Sequence, residues 1–258
     1  MNFKQTHTVL GIPLWLARLV VITAFCLLWE WATLRRPELR LYVGQPSGIV
    51  KFLWDGLFDD GLLWLNGFWS MSAVLISFLL GSILAIATGM LFAVSPRTEL
   101  FLHPIMIGLN ALPRIALAPL FLLWFGLGIA SKIALAFTLT FFIVLDATVA
   151  GMRSVESDHV TLARMIGASP GWIFRHVALV SAMPTIFSGL RLGLIYALLG
   201  VIGAEIIAAE QGLGQYLALL AGTFNTDGVF AILLLLALLG SAIGVLMAKL
   251  EKRLLYWK

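Results

Sequence analysis

Phe68 to Val94 reads FWSMSAVLISFLLGSILAIATGMLFAV, and no Asp, Glu, Lys or Arg occurs anywhere between Asp60 and Arg97. A bilayer core about 30 Å thick requires about 20 apolar residues of α-helix, so this run is a membrane span. Gly81, Ala85 and Gly89 recur at every fourth position within it, gathering small residues on one face suited to close helix contact. Composition carries the conclusion to the whole chain. Of 258 residues, 61% are hydrophobic and 12% charged, where a soluble domain carries about 25% charged residues. A soluble globular fold and a disordered chain are excluded, and the lone Cys26 excludes an internal disulfide framework.

Five further runs flank this one. Leu14 to Ala32 has Trp15 near one end and Trp29 and Trp31 near the other, as interfacial aromatic anchors are placed. No small-residue cleavage site follows it, only Thr33, Leu34, Arg35 and Arg36, so it reads as a retained span and not as a signal peptide. Leu100 to Leu127 is long enough to cross but holds Pro104, Pro113, Pro119 and Arg114, and it is expected to be bent or broken. Ile133 to Val149, Thr185 to Ala208 and Val229 to Ala248 complete a set of six, the last with Gly240 and Gly244 in small-xxx-small spacing. The expected fold is an all-α membrane protein with six transmembrane helices. Residues 1–66 form an N-terminal span and outer surface segment, and residues 67–258 a five-span core.

Six crossings put both termini on one side. With the termini inside, cytoplasmic segments hold ten basic residues (Lys4, Arg18, Arg97, Arg153, Arg164, Arg175, Lys249, Lys252, Arg253 and Lys258) against five outside, Arg35, Arg36, Arg40, Lys51 and Lys132. The excess favours cytoplasmic termini. It also accounts for the net charge of +4 without nucleic acid, since no basic stripe is interleaved with base-stacking aromatics.

The longest inner loop, residues 153–183, has the pattern of two short helices joined by a hinge. Leu162, Ala163 and Ile166 follow helical spacing, Gly167 suits a helix end, and Ser169 with Pro170 suits the N-cap and first turn of the next helix. Periodicity alone leaves two readings open, an amphipathic hairpin lying on lipid or a docking knob for a soluble partner.

This loop resembles the signature EAA-x3-G-x9-I-x-LP of permease subunits of bacterial ATP-binding-cassette (ABC) importers. The matching positions are Thr161, Leu162, Ala163, Gly167, Val177, Leu179 and Val180, with Thr161 in place of the usual glutamate and Val180 in place of the usual proline. ALAPLFLLWFGLG, Ala116 to Gly128, and AEIIAAEQGLG, Ala204 to Gly214, are similar to the nitrate, sulfonate and taurine branch of that family. The resemblance implies a type I importer fold, called MetI-like, in the bacterial inner membrane. It further implies two permease copies, a dimer of ATPase subunits seated on the loop, and an extracytoplasmic binding protein that delivers cargo. Thr161, Leu162, Ala163, Arg164, Gly167, Ala168 and Ser169 are then the coupling segment. The implied cargo is a small polar, more often anionic solute such as nitrate, a sulfonate, taurine or a small heterocyclic precursor.

An ionisable group inside the membrane costs about 2.5 to 3.5 kcal/mol on insertion scales, so each invites a functional question. Arg191 and Glu205 lie fourteen residues apart, roughly 21 Å along a helix, and cannot pair within one. Arg191, near the inner end, is expected to snorkel or to touch the coupling loop. Glu205, near the outer end, is a candidate to hold the outer gate or the binding protein. Asn110 and Arg114 lie beside Pro113, where a broken helix opens backbone groups to a cavity, and are candidates for the pathway. Asp146 is a candidate gating or packing partner.

The phosphate-binding loop G-x-x-x-x-G-K-[ST] is missing, as is any Gly-Lys pair, so ATP hydrolysis is expected in a separate subunit. Intramembrane catalysis finds no second aspartate within a span to match Asp146. His7, His103, His159 and His176 show no ligand spacing, and no metal or other cofactor is expected. A secondary carrier or channel independent of an ATPase remains the alternative, as does a membrane scaffold, although no internal repeat supports an inverted-repeat carrier.

Overall fold

A computed structural model of the chain describes residues 8, 9 and 12–255. Lys4 and Lys258, which entered the count of basic residues, and His7 lie outside the described residues. Apart from a two-residue antiparallel pairing of β1 (Thr8–Val9) with β2 (Ile12–Pro13), the described elements are helical.

Five helices are long and apolar enough to cross a bilayer: α1 (Leu14–Arg35), α4 (Leu62–Val94), α7 (Ile129–Arg153), the continuous stretch Pro170–Ile207, and α12 (Thr226–Leu254). Short helices α2 (Pro37–Val43) and α3 (Pro46–Trp54) occupy the segment between α1 and α4. The expected proline-rich span is the broken one. Its halves, α5 (Pro96–Asn110) and the stretch Arg114–Phe125 that ends in α6 (Ala118–Phe125), meet at 83°. Pro113 has no N–H and holds an extended ψ of 95°, so the helix ladder stops before it.

One difference concerns the coupling loop. After α8 (Ser157–Met165), the turn of α9 (Pro170–Ile173) is not a separate helix but runs through a π-turn, Phe174–Ala178, into α10 (Leu179–Ile207). Pro184 sits inside α10, where its missing N–H leaves one carbonyl without its usual partner.

By contact density the chain forms two units, one of residues 1–63 and 219–235, the other of 64–218 and 236–258. In the first, two carboxylates organise the short helices. Glu30 on α1 accepts hydrogen bonds from Gln45 Nε2 (2.6 Å), Ser47 Oγ (2.8 Å) and Ser47 N (3.0 Å), satisfying a free N–H at the start of α3. Asp227, in the first turn of α12, accepts from Arg40 (2.7 Å) and from Gln45 N (2.7 Å).

In the second unit α7 and α10 form the central pair, and small residues set their separation. A Cβ built on Gly200 would lie 2.9 Å from Ala136 Cα, and one on Gly193 would lie 2.7 Å from Val144 Cγ2. Gly81 and Gly89 of α4 abut Thr140 and Thr148 of α7, with Ala85 fully buried between them, so the four-residue repeat is a helix contact face. The matching repeat on α12 is only half covered: a Cβ on Gly240 would lie 3.8 Å from Leu198 Cδ2 of α10, while one on Gly244 would meet open space. Spacing specifies a face but cannot say which neighbour, if any, covers it.

Close approach at Gly200 has a measurable consequence. Gly200→Val is expected to cost about 1–3 kcal/mol through overpacking against Ala136, read as a lower melting temperature of the detergent-purified protein, whereas Gly244→Val is expected to melt like the parent.

Candidate functional site

Two candidate regions and one supporting cluster lie within residues 64–218 and 236–258. The first region is the loop after α7. Helix α8 ends in a Schellman turn, with Ala168 N donating to Ala163 O (3.0 Å) and Gly167 N to Arg164 O (3.0 Å). Gly167 holds φ +82° there, a backbone conformation that costs a residue bearing a Cβ. Ser169 then caps the next helix, its Oγ accepting from Trp172 N (3.3 Å), with Pro170 at the first helical position. Thr161 spends its hydroxyl on its own helix, donating to Ser157 O. On α8 Ala163 is buried, while Leu162, Met165 and Ile166 are 61%, 80% and 74% exposed. The turn therefore presents a small apolar knob held by a rigid backbone.

The second region is the break in the third span. Arg114 donates to both the backbone and side-chain oxygens of Asn110, and its guanidinium lies 4.6 Å from the centroid of the Phe142 ring, within cation–π range. Asn110 Nδ2 in turn reaches Asp146 Oδ2 on α7 at 3.4 Å. Arg114 Nε is buried and has no hydrogen-bond partner among the described residues. A cleft of about 190 Å³ opens beside the cluster, lined by His103, Asn110, Phe142 and Asp146 among others.

Three of the five expected intramembrane candidates, Asn110, Arg114 and Asp146, are thus brought together, and two are elsewhere. Arg191 pairs with Glu251 near the end of α12. Glu205 is 1% exposed and pairs with Lys132 of α7 at 3.1 Å. Lys132, counted above as an outer loop residue, is instead buried in the first turn of α7, because the helix begins at Ile129 and turns the ammonium inward to the carboxylate.

This pair centres a network that sequence reasoning missed. Glu205 also accepts from Ser70 Oγ (2.8 Å) and Gly214 N (2.9 Å). Lys132 donates to Gln211 O, Leu213 N donates to Ser70 Oγ (2.9 Å), and Gly212 N donates to Asn66 Oδ1 (2.9 Å). The turn between α10 and α11 (Leu213–Gly222) is thereby tied to α4 and α7. Gly212, at φ +126°, packs directly on the Glu205 carboxylate, leaving no room for a side chain. The available signal was depth: the topology put Lys132 and the end of the fifth span on one side of the membrane. Among the described residues, no group of three or more His, Cys, Asp or Glu is placed to hold a metal ion.

Residues 77–256 match the family described as binding-protein-dependent transport system inner membrane component. The chain is 32% identical over 249 residues to the riboflavin transport system permease protein RibX of Chloroflexus aurantiacus, covering 96% of this chain and 90% of that protein. It is 32% identical over 242 residues to the taurine transport system permease protein TauC of Escherichia coli, covering 91% and 88%. Among solved structures, an inward-facing conformation of the MetNI methionine ABC transporter superposes with a TM-score of 0.67 at 17% identity, over 76% of this chain and 99% of that one. The expected MetI-like fold is the fold found.

Removing one member of a buried pair strands the other charge, at a cost of about 3–5 kcal/mol. Lys132→Met is therefore expected to lower the melting temperature of the purified protein sharply. Lys132→Met combined with Glu205→Gln, which removes the stranded charge and keeps an acceptor for Ser70 and Gly214 N, is expected to recover part of the loss. A single variant that melts like the parent would mean that the pair contributes nothing.

Proposed function

The chain belongs to the family of binding-protein-dependent transport system inner membrane components and is a permease subunit of an ABC importer; from that membership we propose how its parts divide the work. Two copies of this chain form the translocation pathway, a dimer of ATPase subunits drives them, and an extracytoplasmic binding protein delivers the cargo. Residues 67–258 act as the permease core, and residues 1–66 as an added span and surface segment.

The observation that carries the coupling assignment is the apolar knob of Leu162, Met165 and Ile166 on the Schellman turn at Gly167. An exposed apolar cluster on a rigid turn suits a partner protein, and the ATPase is the partner that the family requires. Coupling at Thr161 proceeds without the usual glutamate, through shape and apolar contact. Both termini are cytoplasmic in this reading. With Lys132 removed from the outer tally as a buried residue, the outer segments keep only Arg35, Arg36, Arg40 and Lys51, which strengthens the bias of basic residues.

Arg114, Asn110 and Asp146 line the path of the solute. The cargo is a small polar, anionic molecule, and Arg114 is the basic group beside the break and its cleft. Glu205, paired with Lys132, acts at the outer end by holding the turn before α11 fixed.

Orientation is tested by labelling. A cysteine introduced at Ser169 is expected to react with membrane-impermeant maleimide only after the cytoplasmic side is opened, and one at Gly222 in intact spheroplasts; the reverse pattern would remove the ATPase from the loop. Coupling and pathway are separated by two variants in proteoliposomes, with labelled taurine and riboflavin as the first probes. Gly167→Val is expected to insert normally but to lose the co-purifying ATPase, because valine is strained at positive φ. Arg114→Gln is expected to keep the ATPase and lose most uptake. Unchanged uptake by Arg114→Gln at matched abundance would take Arg114 out of the path.

A further inference from the structure

A cavity of about 580 Å³ lies where the coupling loop meets the ends of α4 and α7 and the start of α5. Its walls are largely apolar, including Phe92, Val149, Met152, Val160, Ile173 and Phe174. The charged groups facing it are Glu99, Arg153 and Arg164. Glu99 and Arg153 neutralise each other in an ion pair. Arg164, exposed on the last turn of α8, makes no ion pair or side-chain hydrogen bond among the described residues, which leaves the cavity with one net positive charge at its rim.

Two spanning helices, α4 and α7, end beside the cavity, at Val94 and Arg153. Helices of 33 and 25 residues, roughly 50 and 37 Å long, overreach a hydrocarbon core about 30 Å thick, so their ends carry the cavity to the headgroup layer or beyond it, on whichever side of the membrane the loop lies. Its volume equals roughly twenty water molecules at about 30 Å³ each, and water is a poor occupant of an apolar space that offers it few partners. A free inorganic anion would satisfy Arg164 but leave the apolar walls uncovered. An amphiphile with a negative head satisfies both, since basic pockets between transmembrane helices at the membrane surface favour anionic lipid headgroups.

We propose that this cavity is a binding site for one anionic phospholipid, with an acyl chain against Phe92, Val160 and Phe174 and the phosphate on the Arg164 guanidinium. The lipid then bridges the coupling loop and the span ends, so that the packing of α8 depends on the lipid composition of its leaflet. The proposal does not rest on the cargo assignment, but Arg164 also lies in the segment assigned to ATPase docking, so the ATPase retained per chain is measured beside the lipid to keep the two apart.

The purified transporter is stripped of loosely held lipid in detergent, offered phosphatidylglycerol and phosphatidylcholine in equal amounts, and examined by native mass spectrometry for lipid retained per permease chain. One retained lipid is expected, with about a fivefold preference for phosphatidylglycerol, the gain that one basic residue gives an anionic headgroup. Arg164→Gln is expected to abolish the preference and Arg164→Lys to keep it. Ala93→Trp, which fills the cavity from its rim, is expected to reduce retention of both lipids. Equal retention of the two lipids by the parent, or an unchanged preference in Arg164→Gln, would overturn the proposal. Loss of the preference on adding inorganic phosphate, with Ala93→Trp retaining lipid like the parent, would also overturn it and leave a free-anion site.

Discussion

A carboxylate held inside a helical bundle needs a partner charge and donors for its lone pairs, and Glu205 has both. Lys132 supplies the charge, while Ser70 and Gly214 N supply hydrogen bonds. Because these groups come from α4, α7 and the turn after α10, satisfying one carboxylate fixes three parts of the permease core at one end. The arrangement is possible only because α7 and α10 run close together, and they do so because glycine occupies the crossing positions Gly193 and Gly200. Small residues thus set the spacing, and the buried pair sets the register. Breaking such a pair from one side is costly, whereas replacing both members by well-packed apolar groups often is not.

Within that frame the two candidate regions differ in character. The turn proposed for coupling is locally specified: a Schellman motif, a positive φ at Gly167 and the Ser169 cap leave the backbone few alternatives. Its apolar side chains face outward, which suits transmission of force from a partner. The break near Arg114 is a place where the chain gives up helix hydrogen bonds at Pro113 and gathers a guanidinium, an amide, a carboxylate and an aromatic face. In hydrocarbon such irregular backbone is tolerated where it is covered by protein or lines a cavity. Arg114 and Asp146 carry opposite charges, linked through the Asn110 side chain, so the net field at the break is small.

Much of this architecture is legible in the sequence because lipid imposes simple rules. Charge-free runs mark the spans, the prolines at 104, 113 and 119 mark the broken one, and Gly167, Ser169 and Pro170 announce the turn. The unreadable parts are long-range pairings. Lys132 and Glu205 are separated by 73 residues and Arg191 and Glu251 by 60, and nothing local in either segment points to the other. Spacing also over-reads: Gly81 and Gly89 do contact a helix, whereas Gly244, in the same kind of repeat, meets open space. Whether the second loop helix stands alone or continues into the span depends on a π-turn at Phe174–Ala178, which has no composition of its own.

In the proposed division of work, ATP hydrolysis in another subunit opens and closes the passage through this chain. The most direct measurement is ATP turnover and solute flux in proteoliposomes containing the chain alone, the chain with its ATPase, and the two with the loaded binding protein. The expected result is no ATP turnover by the chain alone, ATP turnover raised by the loaded binding protein in the full assembly, and flux only there. Sustained, saturable flux through the chain alone, with no ATPase present, would contradict it and identify a carrier or channel.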